Sequence, residues 1–174
     1  VIPTAFTIDE LTYEEATELC NFGAKVIYPP TIFPVCKAGI PILVRNTFNP
    51  TGRHTVIRQE AAPGNRLIRG ISSISQTALV TVSGMSMVGV VGVNQRIFSC
   101  LSQGGVSVFM VAQSTSETST SLAVTPSQAA QACAILDREF ANEIEAGAMN
   151  HAQCNNDLAT VAIVGQNLRH HTGT

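Results

Sequence analysis

Thr77-Ala78-Leu79-Val80-Thr81-Val82-Ser83-Gly84-Met85-Ser86-Met87-Val88-Gly89 is the stretch that decides the fold. Its first seven residues are rich in β-branched side chains, which predicts a strand over 77–83. Gly84 to Gly89 then offers small or flexible residues between two glycines, the composition of a tight loop. Beyond it the period changes. Val93, Ile97, Cys100 and Leu101 recur at helical spacing, which predicts a helix over 90–103 that stops at Gly104-Gly105. A strand running through a glycine loop into an amphipathic helix therefore opens the domain.

Downstream, Val106 to Gln113 reads as a second strand, Ser114 to Thr118 as a polar turn and Ser119 to Thr125 as a third strand. Pro126 and Ser127 start a long helix reaching about Ala146, with Ala130, Cys133, Leu136 and Phe140 on one face. Proline in its first turn and Gly147 after its end follow the usual asymmetry of helix termini. Asp157 to Gly165 is a further strand. The order from residue 77 is β-α-β-β-α-β, the ferredoxin-like pattern of the α/β (α+β) class. Leu158 to Gly165 echoes Leu79 to Gly84, which suggests a second copy beginning near residue 157.

Upstream, residues 9–23 are expected to be helical, with Thr12 as N-cap and Glu15 completing a capping box. Ala16, Leu19 and Cys20 form its apolar stripe and Asn21-Phe22-Gly23 its stop. Ala24 to Ile27 is a short apolar run and Tyr28-Pro29-Pro30 a turn. A short helix is expected over 31–38 and a buried strand over Pro41 to Arg45. Asn46 to His54 is a loop by composition. Residues 59–66 read as a linker and 68–74 as an edge segment.

Hydrophobic residues make up 45% of the 174 and charged residues 13%, enough to bury a core. Ten Lys and Arg against twelve Asp and Glu leave no basic field for nucleic acid or an anionic membrane. No apolar run approaches the ~20 residues that span a bilayer. Five cysteines in no CxxC pair are expected as reduced thiols in a cytoplasmic protein. His170-His171 has no Cys or carboxylate nearby, so no metal is expected. Ser83 and Ser86 show no His–Asp partners for a hydrolase triad. A start at Val1-Ile2-Pro3 and an end just after a strand-like run lead us to expect a piece of a longer chain.

The loop carries the most suggestive chemistry. A free amino acid presents a carboxylate, which needs N–H donors, and a glycine loop opening a helix supplies them. Its ammonium needs carbonyls, which an exposed strand edge at Ser107 to Gln113 would offer. A plain strand–loop–helix turn with no ligand is the alternative. Gln113 stands out because an amide both donates and accepts.

Two sets of residues carry a family resemblance. Leu11-Thr12-Tyr13-Glu14-Glu15-Ala16, Glu18-Leu19 and Phe22-Gly23-Ala24-Lys25-Val26 are followed by Pro29, Thr31, Ile32, Pro34, Ile40-Pro41 and Asn46-Thr47-Phe48-Asn49-Pro50. This run resembles the end of the aspartokinase catalytic domain. Gly70-Ile71-Ser72, Val82-Ser83-Gly84, Met87-Val88-Gly89, Arg96-Ile97-Phe98 and Val111-Ala112-Gln113-Ser114, with Ser116-Glu117 and Ser119, resemble the first ACT domain of bifunctional aspartokinase–homoserine dehydrogenases. Tyr28 stands where members usually carry His, Pro30 where a basic residue is frequent and His54-Thr55 where a Gly-Thr pair is usual.

The resemblance implies a kinase-domain remnant over 1–58, a linker over 59–67, an ACT domain over 68–156 and the start of a truncated second repeat over 157–174. It implies no catalytic residue in this stretch, because the family's phosphate loop and Ser-Asp nucleotide motif are not in it. ATP and Mg belong to the intact enzyme, with Lys25 and Val26 near the nucleotide. For the effector it implies Gly84, Met85, Ser86, Met87, Val88 and Gly89 of the loop, with Val111, Gln113 and Ser114 of the facing strand. Threonine-sensitive members carry Gln at the position of Gln113. Lysine-inhibited members carry an acidic residue where Phe109 stands, so threonine or another small polar amino acid is expected as the effector, with a module that senses a different amino acid or only dimerises as the alternative. A homodimer through paired ACT domains is the expected assembly.

Overall fold

A computed structural model describes residues 5–61, 67–165 and 168. The chain forms two compact units, residues 1–74 with 160–174, and residues 75–159. The expected linker over 59–66 lies largely outside the described residues.

The first unit is built on β1 (Glu10–Thr12), α1 (Tyr13–Asn21), α2 (Ile32–Lys37), β2 (Ile42–Val44) and β3 (Thr55–Arg58). β3 lies between the other two strands, parallel to β1 and antiparallel to β2. The capping box is present: the Glu15 N–H donates to Thr12 Oγ1 at 3.1 Å and the Thr12 N–H to Glu15 Oε2 at 2.8 Å. Leu11, Tyr13, Ala16, Leu19, Ile32, Ile57 and Val164 form the core. The strand expected as buried over 41–45 is instead the edge strand β2. Ile42 and Val44 face inward, while Leu43 is 53% exposed. β1 and β3 are too short for a period-2 pattern to stand out, although Thr55-Val56-Ile57 is β-branched.

The second unit carries the ferredoxin-like arrangement. Its elements are β4 (Ile68–Ser83), α3 (Val93–Gln103), β5 (Met110–Gln113), β6 (Ser119–Val124), α4 (Pro126–Glu139), α5 (Ala141–Glu145) and β7 (Gln153–Gly165). The sheet order is β5-β6-β4-β7. β4 and β6 pair antiparallel from Ala78↔Val124 to Ser83↔Ser119. Alternation sends Ala78, Val80 and Val82, with their partners Val124, Leu122 and Thr120, to one face. There they meet Ile97 and Leu101 of α3 and Ala129, Ala132 and Leu136 of α4.

The expected edge segment over 68–74 and strand over 77–83 are one strand, β4. Residues 68–74 and 160–165 belong to the first unit by compactness, so β4 and β7 each run through both. The sequence boundary at 156/157 falls inside β7, which lies beside β4 in the same sheet. The long helix expected over 126–146 divides at Phe140, whose φ of −106° and ψ of 22° leave the helical region while its ring stays buried. Its buried stripe is Ala129, Ala132 and Leu136. Ala130 faces solvent and Cys133 is half-buried.

Candidate functional site

The site is built where the glycine loop meets the end of the edge strand. Gly84 opens the loop at a close approach. A Cβ there would lie 2.6 Å from the Ala148 carbonyl oxygen and 2.7 Å from Met149 Cα, both backbone atoms. The following turn is tied to the same segment, since the Ser86 N–H and Oγ both donate to the Ala148 carbonyl. Asn150 closes the tie, its N–H donating to the Ser83 carbonyl at 2.9 Å. Gly89 and Gly92 have φ of +66° and +93°, which let the chain reverse twice before α3 starts.

These reversals leave a cavity of about 240 Å³ beside the first turn of α3. Met87, Val90 and Val93 give it apolar wall, and Asn94, Gln113 and Glu117 give it polar wall. Asn94 Nδ2 donates to Gln113 Oε1 at 3.3 Å, bridging helix and strand. The Gly89 N–H donates to Glu117 Oε2 at 3.2 Å, bridging loop and turn.

The expected effector residues divide. Met87 and Gln113 line the cavity, and Gly89 is tied by its N–H to Glu117, which lines it. Gly84 and Ser86 are engaged with the 148–150 segment behind the loop. Met85 is 77% exposed and Val88 is exposed. Val111 lines a different concavity, of about 490 Å³, with Phe98, Leu101 and Val108. Ser114 closes its own turn, accepting from the Ser119 N–H at 3.2 Å. Asn94 and Gln95 were not among the residues expected, and Glu117 was expected only as a member of the polar run after β5, some of whose residues could hydrogen-bond a ligand. The helix starts at Val93, three residues later than its spacing predicts, and this brings Asn94 to the cavity.

Behind the cavity, Arg96 ties α3 to the α4–α5 junction. Its guanidinium lies 4.4 Å from the Phe140 ring centroid, donates to Glu139 Oε1 at 2.7 Å and pairs with Glu143. The hydrogen bond to Glu143, then that to Glu139, holds Arg96 above its ordinary value. The bond from Arg96 holds the Glu143 carboxyl below the usual carboxylate range. Burial pushes the Cys100 and Cys133 thiols up. Lys25 and Val26 lie exposed in the turn after α1. Among the described residues no cluster of three or more His, Cys, Asp or Glu could hold a metal, and no helix is long and apolar enough to cross a membrane. His170 and His171 lie outside the described residues.

Known proteins match this arrangement. The ACT-domain family profile matches residues 80–140. The bifunctional aspartokinase/homoserine dehydrogenase of Haemophilus influenzae is 36% identical over 173 residues, covering 99% of this chain and 21% of its own length. E. coli aspartokinase III in complex with aspartate and ADP superposes with a TM-score of 0.79 at 24% identity, covering 99% of this chain and 38% of that one. The same enzyme in complex with lysine and aspartate gives 0.72 at 27% identity, covering 97% and 36%. The second unit thus carries an ACT domain of the kind that accompanies aspartokinases. The chain belongs to the aspartokinase family and contains its ACT regulatory domain, and over nearly its whole length it is similar to one segment of the bifunctional aspartokinase/homoserine dehydrogenases. It spans about a fifth of the length of the curated relatives it matches.

Proposed function

We propose that this segment senses an end-product amino acid, L-threonine, and imposes feedback inhibition on an intact enzyme that phosphorylates L-aspartate with ATP and Mg. The observation that carries the reading is the meeting of Gln113 and Asn94 at a small cavity beside a glycine loop. Two side-chain amides offer paired donors and acceptors to a hydroxyl, and the apolar wall from Met87 and Val93 suits a methyl group. Lysine, which E. coli aspartokinase III binds, is the competing effector. Lys25 and Val26, exposed on the first unit, are free to approach a nucleotide in the whole enzyme. The cytoplasm is the compartment that suits the free cysteines.

Sensing becomes control when the effector favours one arrangement of paired ACT domains over another. A coupling of ~1–3 kcal/mol suffices. β5 ends the sheet, so pairing with a second copy would cover its open edge and the exposed Val111. The echo of β4 in residues 158–165 supports a second repeat that starts near residue 157.

Isothermal titration of the chain with threonine, lysine and methionine tests the reading. Heat with threonine and a weaker response to the others is expected. Heat with lysine or methionine alone would reassign the effector. Silence from all three would leave a module that only dimerises. In the full-length enzyme, aspartate kinase activity should fall as threonine is added.

A further inference from the structure

Glu117 is the one non-glycine residue at positive φ among the described residues, at +58°. This backbone region disfavours a side chain with a Cβ, and the β5–β6 turn would form more readily with glycine there. The turn is nevertheless closed on it, the Glu117 N–H donating to the Ser114 carbonyl at 2.9 Å. From that position its carboxylate reaches the glycine loop and accepts the Gly89 N–H at 3.2 Å. Glu117 is also the one charged side chain in the cavity wall, where the other polar members, such as Asn94 and Gln113, are neutral amides.

The Gly89 N–H is the kind of donor that a ligand carboxylate requires, and a carboxylate already holds it. We propose that Glu117 stands in for the effector's carboxylate on the Gly89 N–H, and that an α-amino acid exchanges for it. The effector's carboxylate takes the Gly89 N–H, and the displaced Glu117 pairs with the effector's α-ammonium. The exchange trades one carboxylate for another on the same donor and adds one ion pair. Glu117 thereby reads the feature that separates an α-amino acid from its 2-hydroxy analogue. The analogue brings a second anion to the wall with no cation to offset it, and selection works by that repulsion as much as by attraction. This inference rests on the cavity being an amino-acid site. It does not depend on which amino acid binds.

Titration of the chain with two probe pairs tests it: L-threonine against 2,3-dihydroxybutanoate, and L-lysine against 6-amino-2-hydroxyhexanoate. The unaltered chain should bind the amino acid of one pair at least about tenfold more tightly than its hydroxy analogue. Glu117→Gln should weaken amino-acid binding about tenfold and erase most of that preference. Glu117→Gly removes the same charge and relaxes the turn, so it should weaken binding equally with no fall in thermal midpoint. Amino-acid binding of unchanged affinity and preference in Glu117→Gln would overturn the role of Glu117 and leave the sensor standing. Weakened binding that follows a lowered midpoint in both variants would also overturn it, since the turn would then only support the fold. Failure of the unaltered chain to bind any of the four probes, or methionine, would remove sensor and inference together.

Discussion

Thr120 shows how a single atom can sit against the logic of its surroundings. Its side chain is fully buried on β6 opposite Val82, and its Oγ1 has no hydrogen-bond partner among the described residues. A buried hydroxyl without a partner gives up its water and receives nothing in return. Thr120→Val keeps the shape and the β-branch, so urea unfolding should show a gain of about 1 kcal/mol. An unchanged or lower midpoint would mean that the hydroxyl finds a partner. The residues of the candidate site were legible to different degrees. Met87 and Gln113 could be named because a glycine loop and a strand end fix their places. Glu117 could not. Its position depends on a left-handed backbone inside a polar run that reads as a solvated turn. Asn94 depends on where α3 starts, and Gly89 and Gly92 delay that start in a way that periodicity does not register.

Among elements, length decides what a sequence reveals. α3, β6 and the start of α4 carry full periods, with Gly104 ending α3 and Pro126 opening α4, and apart from the late start of α3 they fall close to where spacing predicts them. β1 and β3 have three and four residues and are specified by their pairing with each other. The division of the long helix at Phe140 is a tertiary effect. The buried ring and the stacked Arg96 fix the chain there, while the local sequence would continue the helix. The junction has a pH signature. Glu143 binds its proton less tightly in the folded chain than in the unfolded one, because Arg96 donates to its carboxylate. The unfolded state therefore takes up more protons as the solution turns acidic. The stabilisation is fully present above the ordinary carboxylate range and disappears as pH falls through the folded value of Glu143. Both side chains are partly exposed, so solvent screening limits the effect to about 1 kcal/mol or less. Glu143→Gln should therefore be less stable than the unaltered chain at neutral pH, and the gap should close in acid. A gap that stayed constant with pH would assign the loss to packing.

At the scale of the whole molecule, the open edge of β5 is the feature that composition could not place but topology can. The sheet order puts β5 last, and its burial pattern is largely exposed. Val111 is 48% exposed there and lines a concavity with Phe98 and Leu101 of α3. An apolar edge of this kind invites pairing with another strand unless a charge or a cover prevents it. If the ACT domains pair through it, the chain should sediment as a dimer, and its thermal midpoint should rise with protein concentration. Val111→Lys puts a charge on the edge strand without touching the cavity beside Asn94 and Gln113, so it should shift the species to monomer and remove the concentration dependence. The same variant then tells whether the effector site is complete in one chain. Threonine binding that survives in the monomer assigns the cavity to a single copy. Binding that is lost with the dimer means that the second copy supplies part of the wall. A Val111→Lys chain that remained dimeric would move the pairing surface away from β5.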